Sequence, residues 1–479
     1  MKTYRLLSLV ALASLCALSS AQADPATVSR IVDEGKNRNQ VMKHLWYLTQ
    51  NIGPRLTASP QLQKACEWTA MKFREYGLKN VRLEQWGEWP VGFERGKRQS
   101  VKMVAPYEKA FVFTTASWTP GTKGPVRAKA VLEPRTLAEL EASRKNLRGA
   151  WMVSTRQQGG GRGAPPPTLS EEDTKVAEEL AKIPIAGRVS ASRNDLVITG
   201  GRWNFKWEDR PKEIRIVLRK TDMDTLLYQF ERGRQPVLEV DIEQRMIKGP
   251  VPNYNVIADI PGTEKPDEMV IVSGHLDSWD GPGSQGTLDD GTGTMVALET
   301  ARILMAAGAK PKRTIRFIMW TGEEQGLIGS RRYVEMHKDE LSKISAVFVD
   351  DGGTNYQGGV TVTKEMEPMM REALAPAMAA FPDLPMEIKI AVRIPRGGGS
   401  DHASFNAVGV PGFFWFETGR SDYNYAHHTQ HDKYELAIPE YLVQSSTNSA
   451  AASYIIASAA TLLPRELPPT PPPSGGGGK

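Results

Sequence analysis

Cysteine is almost missing from this chain, which has two among 479 residues. Cys16 lies in an N-terminal apolar run, so Cys66 is the one that remains if that run is removed, and no intramolecular disulfide can then form. Long apolar stretches are also missing, since no later segment approaches the roughly 20 apolar residues that a membrane-spanning helix needs. The sequence therefore excludes a disulfide-stapled scaffold and predicts no membrane span.

A strong excess of charge of one sign is missing as well. The chain has 60 Lys and Arg against 55 Asp and Glu, a formal net charge of +5. Removal of residues 1–23 takes away Lys2 and Arg5 and no acidic residue, which lowers that charge from +5 to +3. No dense basic run is interleaved with aromatic residues, so nucleic acid is not an expected partner.

The N terminus has the pattern of a secretory signal peptide. Lys2 and Arg5 precede an apolar run over residues 6–18, and Ala21-Gln22-Ala23 supplies a small-residue cleavage site. We expect export and cleavage near Ala23, which would place the mature protein in a periplasm or outside the cell. An exported protein without disulfides is ordinary for a bacterial periplasm and less usual for a secreted eukaryotic enzyme.

Composition divides the remaining chain into segments. Residues 24–106 begin with helical patterns, whereas residues 107–240 alternate short β-type runs with loops. One of these loops, at 159–167, is too rich in Gly and Pro for regular structure. Apolar periodicity resumes over 241–465, and the tail at 466–479 has nothing to pack and is expected to be disordered. We predict one α/β domain in two parts, with a β-rich insert between them.

Potential metal ligands follow the buried strands of the last segment. Apolar runs at 269–272, 315–320 and 346–349 predict parallel strands in a mixed, largely parallel central sheet flanked by helices. The carboxyl ends of parallel strands meet at one edge of a sheet, where α/β proteins build their ligand sites. The residues that follow the three runs are His275 and Asp277, Glu323 and Glu324, and Asp350 and Asp351.

Two further clusters add to this set. Asp289-Asp290-Gly291 opens a helical segment, and His427-His428 belongs to a group of three histidines. Each cluster alone is weak evidence, since Asp-Asp-Gly is usually a turn and a lone His is usually structural. Together they supply two nitrogens and three carboxylates, which is too much negative charge for one zinc and suits two zinc ions sharing a carboxylate. The five ligand candidates are His275, Asp289, Glu324, Asp351 and His428.

These motifs resemble the family of dizinc aminopeptidases and glutamate carboxypeptidases. The resemblance covers about residues 31–463, and it is strongest at 273–280, 288–291, 323–326, 398–401 and 409–412. It implies a zinc-exopeptidase fold, a protease-associated-type domain as the insert, two zinc ions, and short peptides or dipeptides as substrates. A hydroxide held between the two metals would attack the scissile carbonyl.

The resemblance also implies a ligand set for each zinc. His275 and Asp351 would bind one ion, Glu324 and His428 would bind the other, and Asp289 would bridge the two. Neighbouring residues of an extended chain point to opposite faces, so only one of the adjacent Asp350 and Asp351 faces the metals easily. The resemblance favours Asp351, because it comes just before a Gly.

Three more residues receive catalytic or supporting roles. The resemblance makes Glu323 the general base that takes a proton from the metal-bound water and passes it to the leaving amine. It makes Asp277 the residue that holds His275 in one tautomer. His427 stands where glutamate carboxypeptidase has a Tyr able to hydrogen-bond the tetrahedral intermediate, so it is either a catalytic residue or a bystander.

The type of exopeptidase stays open at this stage. A carboxypeptidase needs Arg or Lys for the terminal carboxylate, and Arg393, Arg396 and Arg420 lie near the site motifs, although ordinary surface roles suit them equally. A glutaminyl-cyclase-like enzyme with a single zinc and a non-catalytic binding protein on the same scaffold are the alternatives. The oligomeric state is also open, and a homodimer is compatible with the sequence.

Overall fold

The computed structural model describes residues 23–156 and 170–465. The expected signal peptide apart from Ala23, the Gly- and Pro-rich loop at 159–167 and the tail at 466–479 lie outside these residues. Within the described part of the chain, no helix is both long and apolar enough to cross a membrane.

The helices begin and end at recognisable capping residues. Helix α3 begins at Pro60, directly after Ser59, whose hydroxyl accepts a hydrogen bond from the main-chain N–H of Leu62. The last helix ends at Ser458 because Ala459 takes an extended backbone conformation. The α-helices of the described residues are α1 (Pro25–Asn37), α2 (Val41–Trp46), α3 (Pro60–Glu75), α4 (Leu137–Leu147), α5 (Glu171–Leu180), α6 (Lys220–Glu231), α7 (Gly291–Ala306), α8 (Ile328–Met336), α9 (Glu367–Ala380), α10 (His402–Asn406), α11 (Tyr423–Ala426) and α12 (Pro439–Ser458).

The strands match the apolar runs and extend several of them. The strands of the described residues are β1 (Lys79–Ala105), β2 (Lys109–Ala110), β3 (Phe113–Thr115), β4 (Val126–Leu132), β5 (Trp151–Val153), β6 (Gly187–Ala191), β7 (Arg215–Leu218), β8 (Val237–Ile260), β9 (Lys265–His275), β10 (Arg313–Trp320), β11 (Ile344–Val349), β12 (Tyr356–Gln357), β13 (Gly359–Val362), β14 (Glu387–Ile390), β15 (Gly412–Phe414) and β16 (Glu417–Thr418).

One sheet of 12 strands runs through the described residues; ten of them follow the order β15-β11-β9-β10-β8-β4-β5-β6-β7-β3, and β1 and β2 lie beside this path. The long strand β8 joins its two halves, since its first residues pair with β4 and its last residues pair with β10. Strand β1 pairs with β8 along most of its length. The predicted mixed α/β class, with helices around a largely parallel sheet, is confirmed.

The part of the chain between β2 and β7 contains helices as well as strands. Strands β4, β5, β6 and β7 are parallel to one another, whereas β4 is antiparallel to β8 and β3 is antiparallel to β7. Helices α4 and α5 bury Leu140, Leu147, Val176 and Leu180 in a small apolar core of their own. Burial of these helix faces explains why a segment expected to be β-rich folds as a small α/β unit.

The half of the sheet from β15 to β8 has an apolar core on each face. Successive strand residues alternate between them: Val270 and Val272 join the core that includes α7 and α12, and Ile271 joins the core that includes Tyr333. Strands β10, β9, β11 and β15 are parallel to one another. Their carboxyl ends therefore lie along one edge of the sheet, as the sequence predicts.

Candidate metal centre

The edge formed by these strand ends collects the histidines and carboxylates singled out by sequence. His275 is the last residue of β9, and Asp351 comes shortly after the end of β11. Glu323 and Glu324 lie in the loop between β10 and α8, and Asp289 lies just before α7. His428 comes from the loop after α11. Residues distant in sequence thus meet in one place because their strands end there.

His275 is in contact with two of the candidate carboxylates. Its Nε2 atom lies 3.2 Å from Oδ1 of Asp351 and 3.3 Å from Oδ1 of Asp289. Its other ring nitrogen, Nδ1, lies 2.9 Å from the main-chain oxygen of Asp277. A proton on Nδ1 would be donated to that oxygen, which leaves Nε2 free to act as a metal ligand.

His428 approaches Asp289 from the other side. Its Nε2 atom lies 2.9 Å from Oε2 of Glu324 and 3.1 Å from Oδ2 of Asp289. The two oxygens of Asp289 therefore face different histidines. Nε2 of His427 lies 3.8 Å from the same Oδ2 atom, and the His427 side chain is more exposed than that of His428.

The two neighbouring glutamates point to different partners. Oε2 of Glu323 lies 3.9 Å from Nε2 of His275, whereas Glu324 faces His428. Burial raises the pKa of the Glu323 carboxyl well above its usual range, and the nearby carboxylates of Asp351 and Glu324 raise it further. Burial, with Asp289 adding to it, raises the pKa of Glu324 to about 7.

Asp277 anchors the loop that carries these glutamates. Its carboxylate accepts a hydrogen bond from the Thr57 hydroxyl at 2.8 Å. It also accepts the main-chain N–H groups of Glu323 at 3.3 Å and Glu324 at 3.4 Å. The carboxylate is 3.7 Å from Nδ1 of His275, so the contact expected between the two residues is made by the main-chain oxygen of Asp277 instead.

Asp350 and Asp351 diverge, as adjacent residues of an extended chain must. Asp351 faces His275, whereas Oδ2 of Asp350 accepts a hydrogen bond from Nε2 of Gln357 at 2.7 Å. Ser449 on α12 also contacts Gln357, so Asp350 belongs to a buried polar network behind the site. Burial raises the pKa of Asp350 to about 7.

The chemistry of these donors fits divalent metal ions. Ligand atoms of His275, Asp289 and Asp351 lie within 4.8 Å of one another, as do those of Asp289, His427 and His428. Oδ2 of Asp289 is buried and accepts no hydrogen bond of good geometry, although Nε2 of His428 lies 3.1 Å away. Although burial alone would lower it, Glu324 and Asp289 raise the pKa of His428 to about 10, which shows how strongly this site attracts positive charge. Imidazole nitrogens and carboxylate oxygens are ligands that zinc accepts.

A cavity of about 710 Å³ opens onto the cluster. Its metal-facing wall carries the candidate ligands Asp289, Glu324, Asp351 and His428 together with Glu323. Among the described residues that line it there is no Lys or Arg. Arg420 pairs with Glu440 on the surface, and Arg396 lines a separate small cavity.

The sequence reasoning missed Tyr423, which also lines this cavity. Its ring packs against that of His427, with ring centres 5.0 Å apart, and lies over Gly353. Burial, together with the carboxylates of Asp289 and Asp351, raises the pKa of Tyr423 well above its usual value, so the phenol stays protonated and can donate a hydrogen bond. Its position one helical turn before His427 was the available signal, but that spacing alone does not show which way the ring points.

Two buried supporting residues were also missed. Arg55 is fully buried, and its guanidinium donates hydrogen bonds to the main-chain oxygens of Leu276 at 2.7 Å and Gly286 at 2.7 Å. The carboxylate of Asp432 accepts the main-chain N–H groups of Thr287 at 2.9 Å and Leu288 at 2.6 Å. Both residues brace the loop that leads to Asp289. A lone Arg or Asp in a loop has no sequence signature for this role.

Comparison with known proteins agrees with the fold. The model of peptidase family M28 matches residues 255–453. Carboxypeptidase Q of Rattus norvegicus is 30% identical over 337 residues, which are 69% of this chain and 68% of that protein. A peptidase M28 precursor from Shewanella amazonensis has a solved structure with a TM-score of 0.64 and 23% identity, over 92% of this chain and 98% of that one. The zinc aminopeptidase BSAP from Bacillus subtilis has a TM-score of 0.55 and 21% identity, over 87% and 94% of the two chains.

The fold and the site thus define a metallo-exopeptidase, a hydrolase of peptide bonds. The chain belongs to peptidase family M28. The family resemblance expected from the motifs is therefore confirmed, and the two solved structures share the fold at sequence identities under a quarter.

Proposed function

We propose that this protein is an exported exopeptidase with two co-catalytic zinc ions, which cleaves short peptides or dipeptides. The observation that carries the proposal is the position of Asp289, whose two carboxylate oxygens face His275 on one side and His428 on the other. A single metal ion would need only one of the two Asp289 oxygens and the histidine that it faces. A carboxylate with a histidine at each oxygen suits a bridge between two ions.

The proposed ligand sets follow from these contacts. His275 and Asp351 hold one zinc, Glu324 and His428 hold the other, and Asp289 is shared. When bound, the two ions would polarise the scissile carbonyl and lower the pKa of water. Such cations would also relieve the repulsion among carboxylates whose pKa values burial raises.

Glu323 is the proposed general base. It lines the cavity beside the ligands without facing His428, and the main-chain N–H that it donates to Asp277 fixes the start of its side chain. Its carboxylate would take a proton from the attacking water and deliver it to the leaving amine. Asp277 is the proposed positioning residue for the Glu323–Glu324 loop and, through its main-chain oxygen, for His275.

Tyr423 and His427 are the two proposed donors to the tetrahedral intermediate. We expect Tyr423→Phe to lower kcat by about tenfold with little change in KM, because a hydrogen bond to developing charge acts mainly in the transition state. Steady-state kinetics on a dipeptide would measure this. His427→Gln is the matched variant at the neighbouring ring. A Tyr423→Phe enzyme with wild-type kcat would leave His427 as the one candidate donor.

The cavity supports a free amine as the recognised end of the substrate. An aminopeptidase needs acidic or carbonyl groups near the α-amine, but the carboxylates that line the cavity are already assigned to the metals or to proton transfer, so the choice depends on whether the cavity offers a cation. A carboxypeptidase needs a cation, and the described residues that line the cavity include no Lys or Arg. We therefore favour aminopeptidase or dipeptidase action over carboxypeptidase action.

Export and the domain boundaries complete the proposal. The apolar N-terminal run and the cleavage site at Ala23 support export to a periplasm or to the outside of the cell. We further propose that residues 24–106 and 241–465 form the catalytic domain around a protease-associated-type insert at 107–240. Light scattering on the purified protein would determine whether two copies associate.

The proposal is tested by mass spectrometry of the products released from a pool of dipeptides and longer peptides. The zinc-loaded protein starting at Asp24 is used, with the Glu323→Gln variant as the control. Stepwise loss of N-terminal residues would establish an aminopeptidase, and cleavage confined to dipeptides would establish a dipeptidase. Cyclisation of N-terminal Gln with one bound zinc would establish the single-zinc alternative, and no reaction at all would favour a binding protein.

A further inference from the structure

A segment of the insert lies directly against the loop that carries His428. This clamp segment, residues 195–201, pairs with the ligand loop, residues 427–431. Ile198 and Thr429 form an antiparallel bridge. The main-chain N–H of Thr199 donates a hydrogen bond to the main-chain oxygen of His428 at 2.9 Å. The backbone of a proposed metal ligand is therefore held by a part of the chain that contributes no ligand itself.

Gln430 makes the side-chain part of this contact. Its Oε1 atom accepts the main-chain N–H of Val197 at 2.9 Å, and its Nε2 atom donates to the main-chain oxygen of Asp195 at 3.1 Å. The Gln430 residue is 9% exposed, and Val197 is 1% exposed. Buried hydrogen bonds between amide groups fix both distance and direction, so Gln430 ties the ligand loop to the clamp segment in one register.

The clamp segment is itself anchored to the rest of the insert. Gly200 accepts a hydrogen bond from the main-chain N–H of Ser117 at 2.9 Å, and Ser117 and Gly201 form a parallel bridge. The Thr199 hydroxyl lies 2.7 Å from that of Thr114 on β3. The ligand loop is thus fastened through the clamp segment to the sheet of the insert.

The backbone at His428 needs such support. Its φ angle is +60°, in the left-handed region that residues with a side chain rarely adopt. For an L-residue other than glycine this conformation is unfavourable, because Cβ comes too close to the following carbonyl oxygen. The hydrogen bond from Thr199 reaches the main-chain oxygen of this same residue. The hydrogen bond from Thr199 therefore stabilises the ligand loop at the residue whose backbone conformation is least favourable.

We propose that the clamp segment, acting through Gln430, positions His428 as a metal ligand and so sets the affinity of one of the two metal positions. This inference rests on the proposed dizinc function. Gln430 is a positioning residue, since it touches neither the ligand atoms nor the cavity. Loss of a group that orients a metal ligand typically weakens metal binding by about 10- to 100-fold.

The test is a competitive zinc titration of the protein starting at Asp24 against a chromophoric chelator, which resolves the two dissociation constants. We expect Gln430→Ala to weaken one zinc by about 10- to 100-fold and to leave the other near its wild-type value. Gln229→Ala is the matched control: its buried side chain donates to the main-chain oxygen of Thr225 and accepts from Arg234 near the end of α6, away from the ligand loop. It should keep both affinities, even if it lowers the melting temperature as much as Gln430→Ala does.

A second pair of variants loosens the clamp without altering the ligand loop. A Cβ atom at Gly281 would lie 1.8 Å from the Thr199 hydroxyl oxygen, so Gly281→Ala must displace the clamp segment. A Cβ atom at Gly200, inside the clamp segment, would meet nothing within 4 Å. We expect Gly281→Ala to weaken binding of the same zinc ion that Gln430→Ala weakens. Gly200→Ala should keep both zinc affinities at the wild-type values. These variants also keep the test open if Gln430→Ala does not fold.

His428→Ala separates failure of this inference from failure of the proposed function. That variant should lose one zinc outright. If it does so while Gln430→Ala and Gly281→Ala bind both ions as tightly as the wild type, the inference that the clamp segment positions His428 is wrong. The dizinc assignment is then unaffected. If His428→Ala keeps both ions at wild-type affinity, His428 is not a ligand and the clamp inference fails. If the wild-type protein itself binds fewer than two ions, the dizinc assignment fails.

Discussion

Replacing Glu323 by Gln is expected to lower kcat by about 10²- to 10⁴-fold while the bound zinc stays at the wild-type level. Gln has the shape of Glu but cannot accept the proton of the attacking water. Glu323 lies 3.9 Å from the ring nitrogen of His275, beside the proposed ligands, so its loss should leave the metals in place. Steady-state kinetics and elemental analysis of the same preparation would measure both quantities.

Glu324→Gln is the matched control, since it makes the same chemical change at the adjacent position. Glu324 lies 2.9 Å from His428, in the proposed ligand set, so this variant should lose zinc as well as activity. Zinc loss in Glu323→Gln with retention in Glu324→Gln would mean that the roles of the two glutamates are reversed. Wild-type turnover by Glu323→Gln would remove that residue from the mechanism.

The second large effect is expected at Asp351. Asp351→Asn should lose zinc and lower kcat/KM by at least about 10²-fold, because a neutral amide is a much poorer zinc ligand than a carboxylate. Asp351 faces His275 at 3.2 Å, and it also lines the cavity. Zinc content after dialysis, together with kcat/KM on a dipeptide, would measure the loss.

Asp350→Asn provides a control one residue away. The carboxylate of Asp350 accepts a hydrogen bond from Gln357, and an Asn oxygen can accept the same bond. Burial already raises the pKa of Asp350 to about 7, so a neutral side chain is tolerated there. We expect zinc content and kcat/KM near the wild-type values. The opposite ranking of the two variants would transfer the ligand role from Asp351 to Asp350.

The architecture that carries the site was predictable because its signals are local. Each core strand is a short apolar run, and burial of such a run depends on side chains that are neighbours in the chain. Polar residues stand directly after three of these runs, at His275, at Glu323 and after Val349. Parallel pairing of the strands then brings those positions to one edge without further information.

The orientation of individual side chains was not predictable in the same way. Alternation along a strand implies that Asp350 and Asp351 face apart, but it does not say which of them faces His275. Gln357 and Ser449 decide this by offering Asp350 a buried polar partner. The ring of Tyr423 is a similar case, since its packing over Gly353 depends on a loop far away in the chain.

By itself the sequence determined the α/β class, the strands, the sheet edge where the site lies and the residue types available for metal binding. These follow from patterns among near neighbours, which burial and hydrogen bonding impose directly. Only the tertiary structure decided that Asp289 turns one oxygen toward each histidine and that residues 195–201 hold the loop of His428. Such contacts join segments far apart in the chain, and their geometry depends on how whole elements pack rather than on local pattern.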